Sequence, residues 1–103
     1  VEVYKFKYEN CSQKVRGKSQ VGAVGPRNLE VIIEPNDKSN ESQVIIRTGI
    51  TGRESIYKNL LDRFFTKYPV SIQMVVNDFG NTPGIVELRI LEALEGIRDV
   101  AER

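Results

Sequence analysis

Three observations predict an α+β fold for this chain: a two-layer sandwich, with a mainly antiparallel β-sheet carrying two helices on one face. Several short runs alternate apolar and polar residues at period two, the spacing of a half-buried strand. One stretch, residues 54–68, repeats its apolar residues at helical spacing instead. Strands and helices do not alternate strictly along the chain, so the order is that of a segregated sheet-and-helix domain.

The elements follow in sequence. Residues 1–8 set Tyr4, Phe6 and Tyr8 against Lys5 and Lys7, a strand with an aromatic inner face and a charged outer one. Residues 9–18 are polar, carry Cys11 and read as a loop. Residues 19–24 predict a short strand, interrupted by Gly22 and closed by Gly25 and Pro26. Leu29, Val31 and Ile33 share one face of a further strand that stops at Pro35. Residues 36–42 hold no hydrophobe and have the length of a hairpin loop, after which Val44, Ile45 and Ile46 mark the next strand over 43–48.

Thr51-Gly52-Arg53-Glu54 matches a capping box, in which hydroxyl and carboxylate satisfy the free amides of a helix start. Ile56, Leu60 and Phe64 then form the helical stripe, widened by Tyr57, Leu61, Phe65 and Tyr68. Lys58, Asp62 and Arg63 lie on the wetter side, and Pro69 ends the helix.

Residues 71–91 organise the rest of the chain. Ile72, Met74 and Val76 fall at period two, as do Val86, Leu88 and Ile90, and residues 77–84 between them are rich in turn formers. This predicts a β-hairpin with a long, shaped loop. The competing reading makes Thr82 an N-cap and Pro83 the first residue of a helix; Gly84, Ile85 and Val86 weigh against that start. The loop residues Asp78, Gly80, Thr82, Pro83 and Gly84 have the composition of a rigid, self-bonded turn. Asp78 is expected to accept backbone amide hydrogen bonds within it, and the turn to support residues 25–28. Residues 91–101 predict a closing helix with Leu91, Leu94, Ile97 and Ala101 inward.

At 103 residues the chain is one domain, 1–103, able to bury a core without disulfide or metal staples. Fifteen basic residues against 14 acidic ones leave a net charge of +1, which gives no electrostatic reason to expect nucleic acid or a membrane surface. The single Cys11 has no internal disulfide partner, which fits a reducing cytoplasm. No apolar run nears the ~20 residues of a membrane span, and no leader is visible. The chain begins at Val1 rather than methionine and reads as trimmed or as part of something longer. The absence of histidine rules out His-based triads, and one cysteine leaves only carboxylates for a zinc site.

Two motifs have ordinary explanations. Asp78-Phe79-Gly80 spells the kinase magnesium triplet, but no other kinase element is present. Gly49-Ile50-Thr51-Gly52 has the spacing of a KH-domain clamp, yet it follows a strand, as a plain strand-to-helix turn would. No nucleophile stands beside a base, so the residues favour a binding or carrier module over an enzyme.

Three stretches resemble the acyl carrier protein, or delta subunit, family of malonate decarboxylase. They are Val21-Gly22-Ala23-Val24-Gly25 leading into Leu29-Glu30-Val31, the helix over 57–65, and Asn77-Asp78-Phe79-Gly80-Asn81-Thr82-Pro83-Gly84 with Leu88-Arg89-Ile90 behind it. The last is similar to the family's His-Asp-Phe-Gly-Ala-Thr-Pro-Gly signature, and a more distant likeness is to the acyl carrier subunit of citrate lyase. The resemblance implies a non-catalytic cytoplasmic subunit that presents acetyl and malonyl thioesters to acyl transferase and decarboxylase partners. It also implies a phosphoribosyl-dephospho-coenzyme A arm, joined by a phosphodiester to a serine hydroxyl. The matching loop is Gly25, Pro26, Arg27, and the serine's place is taken by Pro26. The alternative is an unmodified protein-interaction module with the same fold.

Overall fold

The structure, a computed structural model, describes residues 1–22 and 28–98. Its elements are β1 (Glu2–Tyr8), β2 (Ser19–Gly22), β3 (Leu29–Pro35), β4 (Ser42–Thr48), α1 (Glu54–Lys67), β5 (Ile72–Asp78) and α2 (Pro83–Glu95). The strands form one five-stranded sheet in the order β1-β4-β5-β3-β2. Among these strands β4–β5 is the parallel pair; β1–β4, β3–β5 and β2–β3 are antiparallel. Both helices cover the same face, so the expected α+β sandwich is the fold observed.

Period two decides which face is buried. Val31, Ile33, Val44, Ile46, Ile72, Met74 and Val76 all point to the helices and are buried. They meet Tyr57, Leu60, Leu61, Phe64 and Phe65 of α1, and Val86, Ile90, Ala93 and Leu94 of α2. Each such aliphatic or aromatic side chain contributes about 1.5–3 kcal/mol by leaving water. On the opposite face Ile32, Val75 and Ile45 align in register across three strands and are half-buried.

The hairpin expected over 71–91 is not there. The Val86–Ile90 stretch is the first part of α2, which starts at Pro83 and runs unbroken to Glu95, so no separate helix begins at residue 91. Thr82 is the N-cap: its hydroxyl accepts from the Ile85 amide (3.4 Å), and its carbonyl accepts from the Val86 amide (3.1 Å). Pro83 fills the first helical turn, where its missing N–H costs nothing. Residues 85–90 satisfy both periodicities, but Ala93, Leu94 and Ile97 extend only the helical one and bury it. Ile85 and Leu88 are left 43% and 58% exposed. Leu91 is half-buried, Ile97 lies in the turn after the helix, and Ala101 falls outside the described residues.

Three further expectations are corrected. Residues 36–42 do not close a hairpin, because β5 inserts between β3 and β4 and pairs with both. Thr51 caps nothing: α1 starts at Glu54 with Arg53 as its N-cap residue and no side-chain cap bond. Gly52 at φ 78° turns the chain away before the capping geometry can form. Ile56, placed in the inner stripe, is 42% exposed, and Tyr57 and Leu61 take the core side with Leu60 and Phe64. The segment 9–18 is irregular as expected but not peripheral. Cys11 and Val15 are buried, and single bridges tie Gln13 to Val70 and Val15 to Arg98.

Candidate functional site

The parallel pair sets the site's position. Thr48 and Asp78, opposite each other in register, end β4 and β5 at the same edge of the sheet. From there residues 49–53 lead into α1 and residues 79–82 into α2. The β2–β3 connection arrives at the same edge, because Gly22 pairs with Glu30 and Leu29 with Asp78. The Gly49 amide donates to the Asp78 carbonyl (3.1 Å), and the Phe79 amide donates to the Asn28 carbonyl (3.1 Å). Residues 78 and 79 thus link the other two connections.

Asp78 holds this junction from inside. Its carboxylate is fully buried. One oxygen accepts from the amides of Gly80 (3.2 Å) and Asn81 (2.9 Å), as the sequence predicts for a self-bonded turn. The other accepts from the Tyr57 hydroxyl and lies 3.8 Å from the Arg53 guanidinium, which also donates to the Asn81 carbonyl (2.6 Å). A buried carboxylate is tolerated only when it is paired and hydrogen-bonded on both oxygens, and this one is. Burial pushes the Tyr57 hydroxyl well above the usual phenol range, and the bond to Asp78 adds to the rise. Gly80 sits at φ 118°, a conformation side-chain-bearing residues rarely adopt, which fixes glycine there.

The five loop residues predicted from sequence therefore fall together at one edge. Asp78 and Gly80 shape the turn, Thr82 caps α2, and Pro83 and Gly84 open its first turn. Gly25, Pro26 and Arg27 lie outside the described residues, though the connection that holds them is anchored at this edge by Gly22 and Asn28. Gly22, at φ 93°, passes so close to the Leu29 carbonyl that a Cβ would stand 1.9 Å from its oxygen. Sequence reasoning missed Arg53 and Tyr57 as partners of Asp78. The available signal was Tyr57 within the helical stripe, since a buried phenol seeks a partner for its hydroxyl. The Gly49–Gly52 turn joins β4 to α1, and Arg53 behind it is committed to Asp78 and Asn81.

Of the three stretches that resemble a known family, two, the connection bounded by Gly22 and Asn28 and the Asp78 turn, are anchored at one edge. The family model described as the malonate decarboxylase delta subunit (MdcD) matches residues 16–97. The chain belongs to the malonate decarboxylase delta-subunit family. It is 34% identical over 98 residues to the malonate decarboxylase acyl carrier protein of Stutzerimonas stutzeri (strain A1501), covering 94% of this chain and 97% of that one. It is 33% identical over 101 residues to that of Azotobacter vinelandii (strain DJ), covering 97% of this chain and 100% of that one. Its fold matches a chain in the crystal structure of a Pseudomonas malonate decarboxylase hetero-tetramer in complex with malonate. That match has a TM-score of 0.84 and 32% identity, over 93% of this chain and 98% of the other.

At the loop where the family likeness implies an arm, the residues present offer no attachment hydroxyl. Between the two anchors, Gly22 and Asn28, stand Ala23, Val24, Gly25, Pro26 and Arg27, none with a hydroxyl. Ser19, the nearest hydroxyl upstream, is in β2, half-buried, with its oxygen 3.9 Å from where a Cβ on Gly96 would be, by the C-terminal end of α2. Three residues of strand, ~10 Å, separate it from Gly22.

Proposed function

We propose that this chain is the acyl-carrier-type subunit of a malonate decarboxylase complex, docking onto acyl transferase and decarboxylase subunits and breaking no bonds itself. The observation that carries the reading is the two-sided match: this chain and a chain of the Pseudomonas hetero-tetramer cover one another almost end to end in one fold. A match of that length covers the whole fold and not one shared motif. The chain's own chemistry supports a non-catalytic role. It has no histidine, and its one thiol, Cys11, is buried and pushed up by that burial, away from reactivity.

The compartment proposed is the cytoplasm, on the support of that single unpaired cysteine. Among the described residues no helix is long and apolar enough to cross a membrane. The test is co-purification: tagged chain expressed in its native host should bring down the transferase and decarboxylase subunits in stable proportion. A chain that elutes alone, under conditions where those subunits assemble with each other, overturns the reading.

A further inference from the structure

We infer that this chain is an arm-less member of its family, holding the carrier's place in the complex without a covalently attached prosthetic group. The inference rests on the subunit reading above and departs from the carrier chemistry which that reading would otherwise include. Its ground is the connection between β2 and β3. Both ends of that connection are tied down, Gly22 by its left-handed backbone against Leu29 and Asn28 by the Phe79 amide, so the residues available at the loop are a closed set.

Loading an arm through a phosphodiester requires an alcohol oxygen as nucleophile. That oxygen bonds to phosphorus as a phosphoanhydride bond of the donor breaks, the phosphate leaving group takes the electron pair, and the hydroxyl proton passes to water. Pro26, at the position matching the family's serine, has no heteroatom in its side chain. Arg27 is cationic at any physiological pH and has no free lone pair to attack with, and the amide of Asn28 is a poor nucleophile.

The hydroxyls near this edge have other tasks. Tyr57 is buried and donates to Asp78, and Thr82 caps α2. Thr51 is exposed, but it lies on the β4–α1 turn, with two strands between it and β2. Ser19 is on the strand itself, under α2.

The experiment uses the full chain, the host's arm transferase and its nucleotide donor, with a family carrier that bears the serine as the positive control. Intact mass is read on wild type, Pro26→Ser and Pro26→Ala. Wild type and Pro26→Ala should keep the mass of the bare chain, while Pro26→Ser should gain the arm on at least tenfold more molecules than either. Pro26→Ala separates the hydroxyl from any loosening of the loop that loss of proline brings. An arm on wild type overturns the inference, and peptide mapping would then locate it at Ser19, Thr51 or Thr82. A folded Pro26→Ser chain that stays bare while the control is loaded overturns the claim that the hydroxyl is what is missing. Failure of the two readings is separable: a chain that co-purifies with its partners and carries an arm sinks only this inference, whereas one that binds no partner sinks the subunit reading whatever its mass.

Discussion

The two ends of β5 are both buried and both polar, yet they are built from different chemistry. At the C-terminal end a single carboxylate, Asp78, gathers Tyr57, Arg53 and the amides of residues 80 and 81. At the N-terminal end the work is done by neutral hydroxyls. Ser42 donates to the Val70 carbonyl (2.5 Å) and accepts from the Ile72 amide (2.8 Å). The Ser71 hydroxyl lies within reach of the carbonyls of Asn36 (2.8 Å), Ser39 (2.6 Å) and Glu41 (3.2 Å). Main-chain bonds finish that end, from Ser71 to Gln13 (2.8 Å) and from Asn36 to Ser71 (3.0 Å).

The difference follows from what each end must hold. The serine end only passes the chain from β3 across β5 to β4, and small hydroxyls can satisfy stray carbonyls there without burying a charge. The Asp78 end must give one shape to a turn between a strand and a helix. A carboxylate with several donors around it fixes that turn in a way a lone hydroxyl cannot, at the risk that losing any partner strands a buried charge.

The largest test of this contrast is Asp78→Ala. It leaves two amides and a phenol without their acceptor and the Arg53 guanidinium without its ion-pair partner, and should cost about 3–5 kcal/mol in urea unfolding. A loss no greater than that of the serine variant below would mean the carboxylate is not the stronger lock. Ser42→Ala should cost about 1–3 kcal/mol, since the buried Ile72 amide loses its acceptor, and the loss should be the same at pH 5 and pH 8 because nothing that titrates is removed.

Alkaline pH acts at the Asp78 end through Tyr57 and at the serine end through the Cys11 thiol, which burial raises and which hydrogen-bonds Ser42. Tyr57's hydroxyl is raised above its ordinary 10.0, so the folded state keeps a proton that the unfolded state gives up. Its contribution is whole below that value and falls away as pH climbs past it. Tyr8, raised by burial and by its bond to Asp62, adds to the same decline. Stability measured from pH 8 to 11 should therefore fall at the top of the range, and Tyr57→Phe, although weaker at pH 8, should fall less steeply.

Smaller still are the two threonines. Thr82→Ala removes a cap and should cost about 1 kcal/mol. Thr51→Ala, at an exposed turn position with no capping bond, should stay within about 0.5 kcal/mol of wild type.

The sheet's inner face was legible because period two is a property of each strand alone: Val31 and Ile33, Val44 and Ile46, and Met74 and Val76 could each be assigned without their partners. Strand order was not, because nothing near residues 36–42 says that a strand some 30 residues downstream will come between β3 and β4. The α2 misreading had a local cause, a stretch that fits both periods until Ala93 and Leu94 break the tie. The Asp78 turn was readable from its own residues, since Gly80 and Asn81 supply the amides. Arg53 and Tyr57 were not, since they come from a helix start 25 and 21 residues away in sequence.

The insertion of β5 also bears on how the chain reaches its fold. Leu29 and Asp78 are partners, as are Val44 and Met74, so neither side of the sheet is complete until the last strand arrives. On the ribosome, β1 with β4 and β2 with β3 can each pair early, but both half-sheets then wait with an open edge facing the gap. Such edges invite pairing with other chains. Non-local closure of this kind is slow, because loop entropy is spent before the contacts repay it. The nascent protein is therefore most vulnerable to misassociation in the interval before residues 72–78 leave the exit tunnel.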